Sequence, residues 1–262
     1  MLPSPVDPWQ ALVLGAVQGA TEFLPVSSSG HLALAARLFG IDPAAGGHLL
    51  SVVVHGGTLA AVLVAYRRDV ARLIRGLAGA RDGRRELAML VVGTLPLVLA
   101  LVPGVRDAVV ALEGNVRAVG AALVVTALLL ASTRWAPPRN APVSAVRALA
   151  IGVAQLGAIV PGVSRSGSTI ATGLWLGLAP DDAARFSFLL SIPAILGAQI
   201  VEAAHLAEGP PLPTSTLALA FVASFVVGFA CLTWLLAIAR RGRLWVFVPY
   251  LLVVGTVAIA LG

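Results

Sequence analysis

The chain has 262 residues, of which 58% are hydrophobic and 11% charged, and its mean hydropathy is +0.95. Soluble domains carry roughly 25% charged residues, so this composition excludes an ordinary soluble domain and calls for a polytopic membrane protein. The cationic side chains behind the net charge of +6 are all arginine, mostly in short segments between apolar runs; the positive-inside bias explains them and no nucleic-acid partner is needed.

Trp9 to Leu24 is the first apolar stretch. At 1.5 Å per residue it covers about 24 Å, short of a hydrocarbon core of about 30 Å. The N-terminus lacks the basic region and cleavage site of a secretory signal, so this stretch is expected to belong to the mature fold. It breaks at Pro25 and the serine run, and His31 to Phe39 is shorter still. Two short arms around a polar elbow predict a re-entrant hairpin.

Leu49 to Tyr66 is long enough to span. The following loop to Glu86 holds seven arginines, which marks it as cytoplasmic. Leu87 to Val102 is expected to cross outward, with Pro96 inside it. Val116 to Ser132 returns to a loop with Arg134, Arg139 and Arg147. Val146 to Val160 then enters, breaks at Pro161-Gly162, and resumes from Ser168 to Leu178, a second re-entrant hairpin. Phe186 to Ala203 spans outward, Ala207 to Pro213 turns outside, and Thr216 to Ile238 returns to Arg240, Arg241 and Arg243. Leu244 to Leu261 makes the last crossing. Cys231 is the single cysteine, so neither a disulfide nor a cysteine-based metal site is possible within one chain, and it reads as filler in its apolar run.

The expected fold is therefore a single all-α integral membrane domain over 1–262, with six transmembrane helices, two re-entrant helical hairpins and both termini outside. One hairpin enters from each side, the pattern of an inverted-topology repeat, here approximately 1–133 and 134–262. A gapless shift that sets Gly15 on Gly152 also sets Gln18 on Gln155, Val26 on Val163, Ser27 on Ser164, Ser29 on Ser166 and Gly30 on Gly167. The halves differ where Glu22 meets Ile159, Ser28 meets Arg165 and His31 meets Ser168.

The two elbows, Gln18 to His31 (QGATEFLPVSSSGH) and Pro161 to Thr169 (PGVSRSGST), carry the polar groups that lipid does not tolerate unless they face protein or a cavity. They are expected to face each other and form one phosphate site. In the second, Gly162 and Gly167 permit tight turns, Ser164, Ser166 and Ser168 supply hydroxyls, and a helix starting near Ser168 offers free N–H groups, a ready anion site. Arg165 adds a planar fork suited to phosphate; the plainer alternative is a helix cap with a snorkelling arginine. In the first elbow, Glu22 and His31 flank the hydroxyls of Ser27, Ser28 and Ser29, placing a base, a nucleophile and an acid close together. Gln18 and Glu22, four apart on one helix face, suit a hard cation such as Mg²⁺. Glu22 as a cap of its own elbow and His31 as a satisfied interior histidine are the plainer alternatives here.

His55 lies mid-span, either near the site or bonded to a backbone carbonyl. Gln155 repeats Gln18. His48 and His205 are expected at the interface, as are Trp9, Trp135, Trp245 and Tyr250 in an aromatic belt; Trp175 and Trp234 read as apolar filler.

These two motifs, together with ARFSFLLSIPAILGA (Ala184 to Ala198), closely resemble the bacterial undecaprenyl-diphosphate phosphatase family, once described as bacitracin-resistance proteins. The resemblance implies an inner-membrane enzyme that hydrolyses the lipid undecaprenyl diphosphate to the monophosphate carrier of peptidoglycan synthesis. It also implies a divalent cation, Mg²⁺ or alternatively Ca²⁺, and leaves a homodimer open. By motif position, Glu22, Ser27, His31 and Arg165 look like the family's essential residues, with Ser164, Ser166 and Thr169 lining the phosphate pocket and Gln18 at the first acidic position of its metal motif. Either Ser27 or an activated water attacks phosphorus, with access expected from the outer face. The rival reading is a polyprenyl-phosphate flippase or anion transporter built on the same broken helices. Carrying an anion, however, requires no acid–base pair such as Glu22 and His31.

Overall fold

Proline, glycine and the arginine clusters cut the apolar chain into helices; the described residues contain no strand. The architecture is that of a computed structural model, which describes residues 6–38, 47–137, 140–203 and 212–262. In chain order the helices are α1 (Pro8–Phe23), α2 (Ser28–Leu38), α3 (Gly47–Ala65), α4 (Arg67–Leu77), α5 (Arg81–Thr94), α6 (Val105–Glu113), α7 (Val116–Ser132), α8 (Ala145–Gly157), α9 (Arg165–Trp175), α10 (Pro180–Ala203), α11 (Thr214–Arg240) and α12 (Val248–Leu261). Phe39, Arg139, His205 and the Ala207 end of the expected outer turn lie outside the described residues.

Among the described residues, five helical stretches are long and apolar enough to cross a membrane: His48–Ala65, Val116–Trp135, Pro180–Ala203, Thr214–Arg240 and Leu244–Leu261. The crossing expected over Leu87 to Val102 takes another form. It begins earlier, at Arg81, and changes after Thr94 to a 3-10 helix over Leu95–Leu101. Pro96 lacks an N–H and its ring clashes with the preceding turn, so a regular α-helix does not run through it. The arginine-rich segment before it is likewise not an open loop. α4 and α5 pack as a helical pair, close enough that a Cβ on Gly76 would stand 2.4 Å from the Gly83 carbonyl carbon.

Small residues let the helices approach, as lipid-embedded bundles require. α1 lies on α11, where a Cβ on Gly15 would stand 2.4 Å from the Ala220 carbonyl oxygen. α8 lies on α5, where one on Gly152 would stand 2.2 Å from the Gly93 carbonyl oxygen. Both short helices are thus held by bare backbone against a neighbour from the other half of the chain. Phe23, Phe188, Leu123, Ile170 and Leu232 fill the centre around them.

The two short helical pairs have firm ends. Asp7 caps α1 by accepting from the Gln10 N–H at 2.8 Å, and the Gln10 side chain returns the bond. Ser144 caps α8, and the Arg147 Nε donates to the Leu176 carbonyl at 3.1 Å, tying the entry of α8 to the exit of α9. At one end of the bundle, Arg185 of α10 bonds Asp69 of α4 at 2.8 Å and also Glu86 of α5. This network fixes the α4–α5 pair on α10.

Candidate active site

Pro25 ends α1 and Pro161-Gly162 separates α8 from α9, and the two breaks meet in the interior. A Cβ on Gly30 would lie 3.3 Å from the Gly162 Cα, and one on Gly167 would lie 3.3 Å from the Pro25 Cβ. The Ser166 hydroxyl donates to the Leu24 carbonyl at 3.2 Å. Gly162 has φ +97°, and a side chain there would meet the Val119 carbonyl oxygen at 2.4 Å, so glycine is required twice over.

The centre of the junction is an ion pair. Arg165 Nη2 donates to Glu22 Oε1 at 2.5 Å, with both side chains largely buried. Glu22 Oε2 accepts from Gln18 Nε2 at 2.9 Å and from the Ser28 hydroxyl at 2.7 Å. The carboxylate is therefore fully engaged and pinned. Arg165 is not: its Nη1 is buried with no hydrogen-bond partner, and so is Gln18 Oε1. A buried guanidinium nitrogen without an acceptor is an unmade demand for an anionic oxygen.

Ser27 is the one described non-glycine residue with positive φ, at 71°. A left-handed serine costs about 1 kcal/mol and persists where its surroundings hold it. Its Oγ accepts from the Gly162 N–H at 3.1 Å and the Gly30 N–H at 3.4 Å, and lies 3.3 Å from Ser29 Oγ. Two backbone donors from opposite elbows converge on this one hydroxyl oxygen and fix its position. The same backbone turn aims the Ser27 carbonyl at His31, whose Nδ1 lies 2.8 Å away.

Not every expected residue joins this cluster. α9 begins at Arg165, with Ser164 as its cap, three residues before the expected start. A serine after a turn offers its hydroxyl to the helix N–H groups, and Ser164 Oγ takes the Gly167 N–H at 3.1 Å, so that donor is spent inside the elbow. Ser164 Oγ also pairs with Ser166 Oγ at 3.2 Å. Thr169 is buried and turned away: its hydroxyl meets the Arg165 carbonyl at 2.8 Å and Ser187 of α10 at 2.6 Å. Gln155, the counterpart of Gln18, is buried with both amide atoms unpartnered. His55 Nδ1 meets the Ser51 carbonyl at 2.8 Å, the backbone bond expected as one of its two alternatives.

Sequence reasoning missed Thr126 and Tyr250. Thr126 Oγ1 donates to the Gly162 carbonyl at 3.0 Å and accepts the Ser164 N–H at 3.1 Å, holding the second elbow from α7. A threonine in an apolar helix gives no signal beyond its polarity. Tyr250, expected in an aromatic belt, places its hydroxyl 2.6 Å from His31 Nε2, with the rings stacked at 5.7 Å. Trp175 is more than filler, since its Nε1 donates to Ser132 at 3.0 Å. His48 pairs with Glu202 at 2.6 Å.

Residues 11–257 match the model of the family described as "Bacitracin resistance protein BacA". The chain is 41% identical to a protein of Desulfosudis oleivorans named undecaprenyl-diphosphatase, over 98% of this chain and 99% of that one. Proteins of the same name from Korarchaeum cryptofilum and Bacteroides fragilis strain YCH46 are 41% and 39% identical, each over 96% of this chain and at least 97% of their own length. With residues 11–257 matched to the family model and 98% of its length aligned to a relative at 41% identity, the chain belongs to the BacA bacitracin-resistance family.

Proposed function

We propose that this chain is an undecaprenyl-diphosphate phosphatase, which releases inorganic phosphate from undecaprenyl diphosphate and returns the monophosphate lipid carrier to peptidoglycan synthesis. The observation that carries the reading is the buried, unpartnered Nη1 of Arg165, whose Nη2 pairs with the Glu22 carboxylate. The terminal phosphoryl group satisfies that nitrogen and draws Arg165 partly away from Glu22. The Gly162 and Gly30 N–H groups fix Ser27 Oγ and ease the loss of its proton; it attacks phosphorus, and the bond to the lipid monophosphate breaks. Glu22, released from part of its ion pair, accepts the Ser27 proton, and water then hydrolyses the phosphoserine. Ser164 and Ser166 keep the second elbow in shape, while Ser28 and Ser29 order the first.

The donors suit a hard divalent cation: the Glu22 carboxylate, the unpartnered Gln18 Oε1 and hydroxyl oxygens are all oxygen ligands. Among the described residues no three acidic, histidine or cysteine side chains cluster, so phosphate oxygens and water would complete the shell. Bound there by Glu22 and Gln18, Mg²⁺ would neutralise charge on the diphosphate.

Two short helical pairs, each packed on a helix of the other half, support an inverted repeat with six crossings and two re-entrant hairpins. The Leu87–Val102 segment then crosses as a helix broken at Pro96. The arginine-rich α4–α5 end is then cytoplasmic, the protein sits in the plasma membrane, and the site is reached from the outer face while the isoprenoid leaves sideways into lipid. Phosphate release from a polyprenyl diphosphate by the purified protein, with and without chelator, tests the activity; no release under either condition would overturn it.

A further inference from the structure

His31 is clamped from both sides, and the two bonds are not equivalent. A backbone carbonyl only accepts, so the 2.8 Å contact between Nδ1 and the Ser27 carbonyl places a proton on Nδ1. In the neutral ring Nε2 is then the lone-pair nitrogen, and the Tyr250 hydroxyl at 2.6 Å is its donor. The nitrogen free to accept a proton thus points toward α12, away from Ser27 Oγ. Tyr250 is about half exposed, at 46%, and stands over His31 with the rings inclined by only 13°.

This contact reaches the strained residue. His31 grips the carbonyl of Ser27, which holds a left-handed backbone, and that backbone sets where Ser27 Oγ meets the Gly162 and Gly30 N–H groups. We propose that Tyr250 is the positioning residue of His31: through the imidazole, the last helix of the chain fixes the backbone of Ser27 and hence the aim of its hydroxyl. The proposal rests on the reading of Ser27 as the attacking group. The partner of a ligand or catalytic histidine sets its tautomer and orientation in the same manner elsewhere.

Tyr250→Phe keeps the stacked ring and removes the donor. It is expected to lower kcat about tenfold with KM within about twofold, because binding at Arg165 is untouched. In the ¹⁵N spectrum of histidine-labelled protein, with His31 identified by its loss in His31→Gln, Nδ1 should carry the proton and the Nε2 resonance should move in Tyr250→Phe. Combined with His31→Gln, Tyr250→Phe should add no further loss. A wild-type spectrum with the proton on Nε2 alone, or an imidazolium, would overturn the proposal. So would an unchanged kcat in Tyr250→Phe, or a loss that persists in full without His31. If the wild type released no phosphate, the phosphatase reading would fall, and the nitrogen spectrum would still decide the Tyr250–His31 contact.

Discussion

Arg165 Nη2 and Glu22 Oε1 lie 2.5 Å apart although 143 residues separate them in the chain. Each stands at the helix end beside the break of a different short helical pair, so the two halves of the chain each bring one member of the ion pair. A buried pair of this kind contributes little net stability but is costly to break from one side. Its persistence is better explained by what it does than by what it stabilises.

Removing either partner should abolish turnover. Glu22→Ala and Arg165→Ala are each expected to cut phosphate release at least about 100-fold while the protein still elutes as a folded species in detergent. The two should differ in binding. Arg165→Ala weakens retention of inorganic phosphate, and Glu22→Ala leaves the guanidinium free and does not. Near-wild-type turnover in Glu22→Ala would remove that carboxylate from the chemistry.

Ser27→Ala separates the two candidate nucleophiles. Loss of activity by at least about 100-fold, with no phosphoserine trapped on rapid acid quench, is expected if Ser27 attacks. Activity within a few-fold of wild type would transfer the attack to water.

Gly162→Ala should be a folding lesion as much as a catalytic one. At φ +97°, with its new Cβ 2.4 Å from the Val119 carbonyl, alanine forces the elbow off α7. A loss of about 2–4 kcal/mol is expected, read as a lowered unfolding temperature. A wild-type unfolding temperature would show that the close approach is not maintained in the membrane.

Arg185→Ala tests the opposite end. It leaves Asp69 and Glu86 with Arg72 alone, 3.4 Å from each, so roughly 1–2 kcal/mol should be lost after allowing for the third of the Arg185 side chain that water reaches. Turnover of the protein that remains folded, measured well below its unfolding temperature, should stay within about twofold of wild type.

Chelation should act at the first elbow. Removal of divalent ions is expected to lower phosphate release, and Gln18→Ala should raise the Mg²⁺ concentration required for half-maximal rate. An unchanged Mg²⁺ dependence in Gln18→Ala would take that amide out of the metal shell.

Composition and spacing by themselves determined that this is a helical membrane protein with two polar elbows. Glu22, Arg165 and the serines stand out because charge and hydroxyls are rare in an apolar chain. The ends of α3, α7 and α11 follow from polar residues, arginines and caps, which act within a few neighbours. Only the tertiary structure decided that Tyr250 belongs to His31, that Thr126 holds the second elbow and that Thr169 faces Ser187. Those pairings depend on which helices lie side by side. The small residues that set the neighbours, Gly15 on Ala220 and Gly152 on Gly93, look alike in sequence wherever they occur. The early start of α9 was decided locally but by atomic detail: Ser164 could cap or remain free, and its bond to the Gly167 N–H chose the cap.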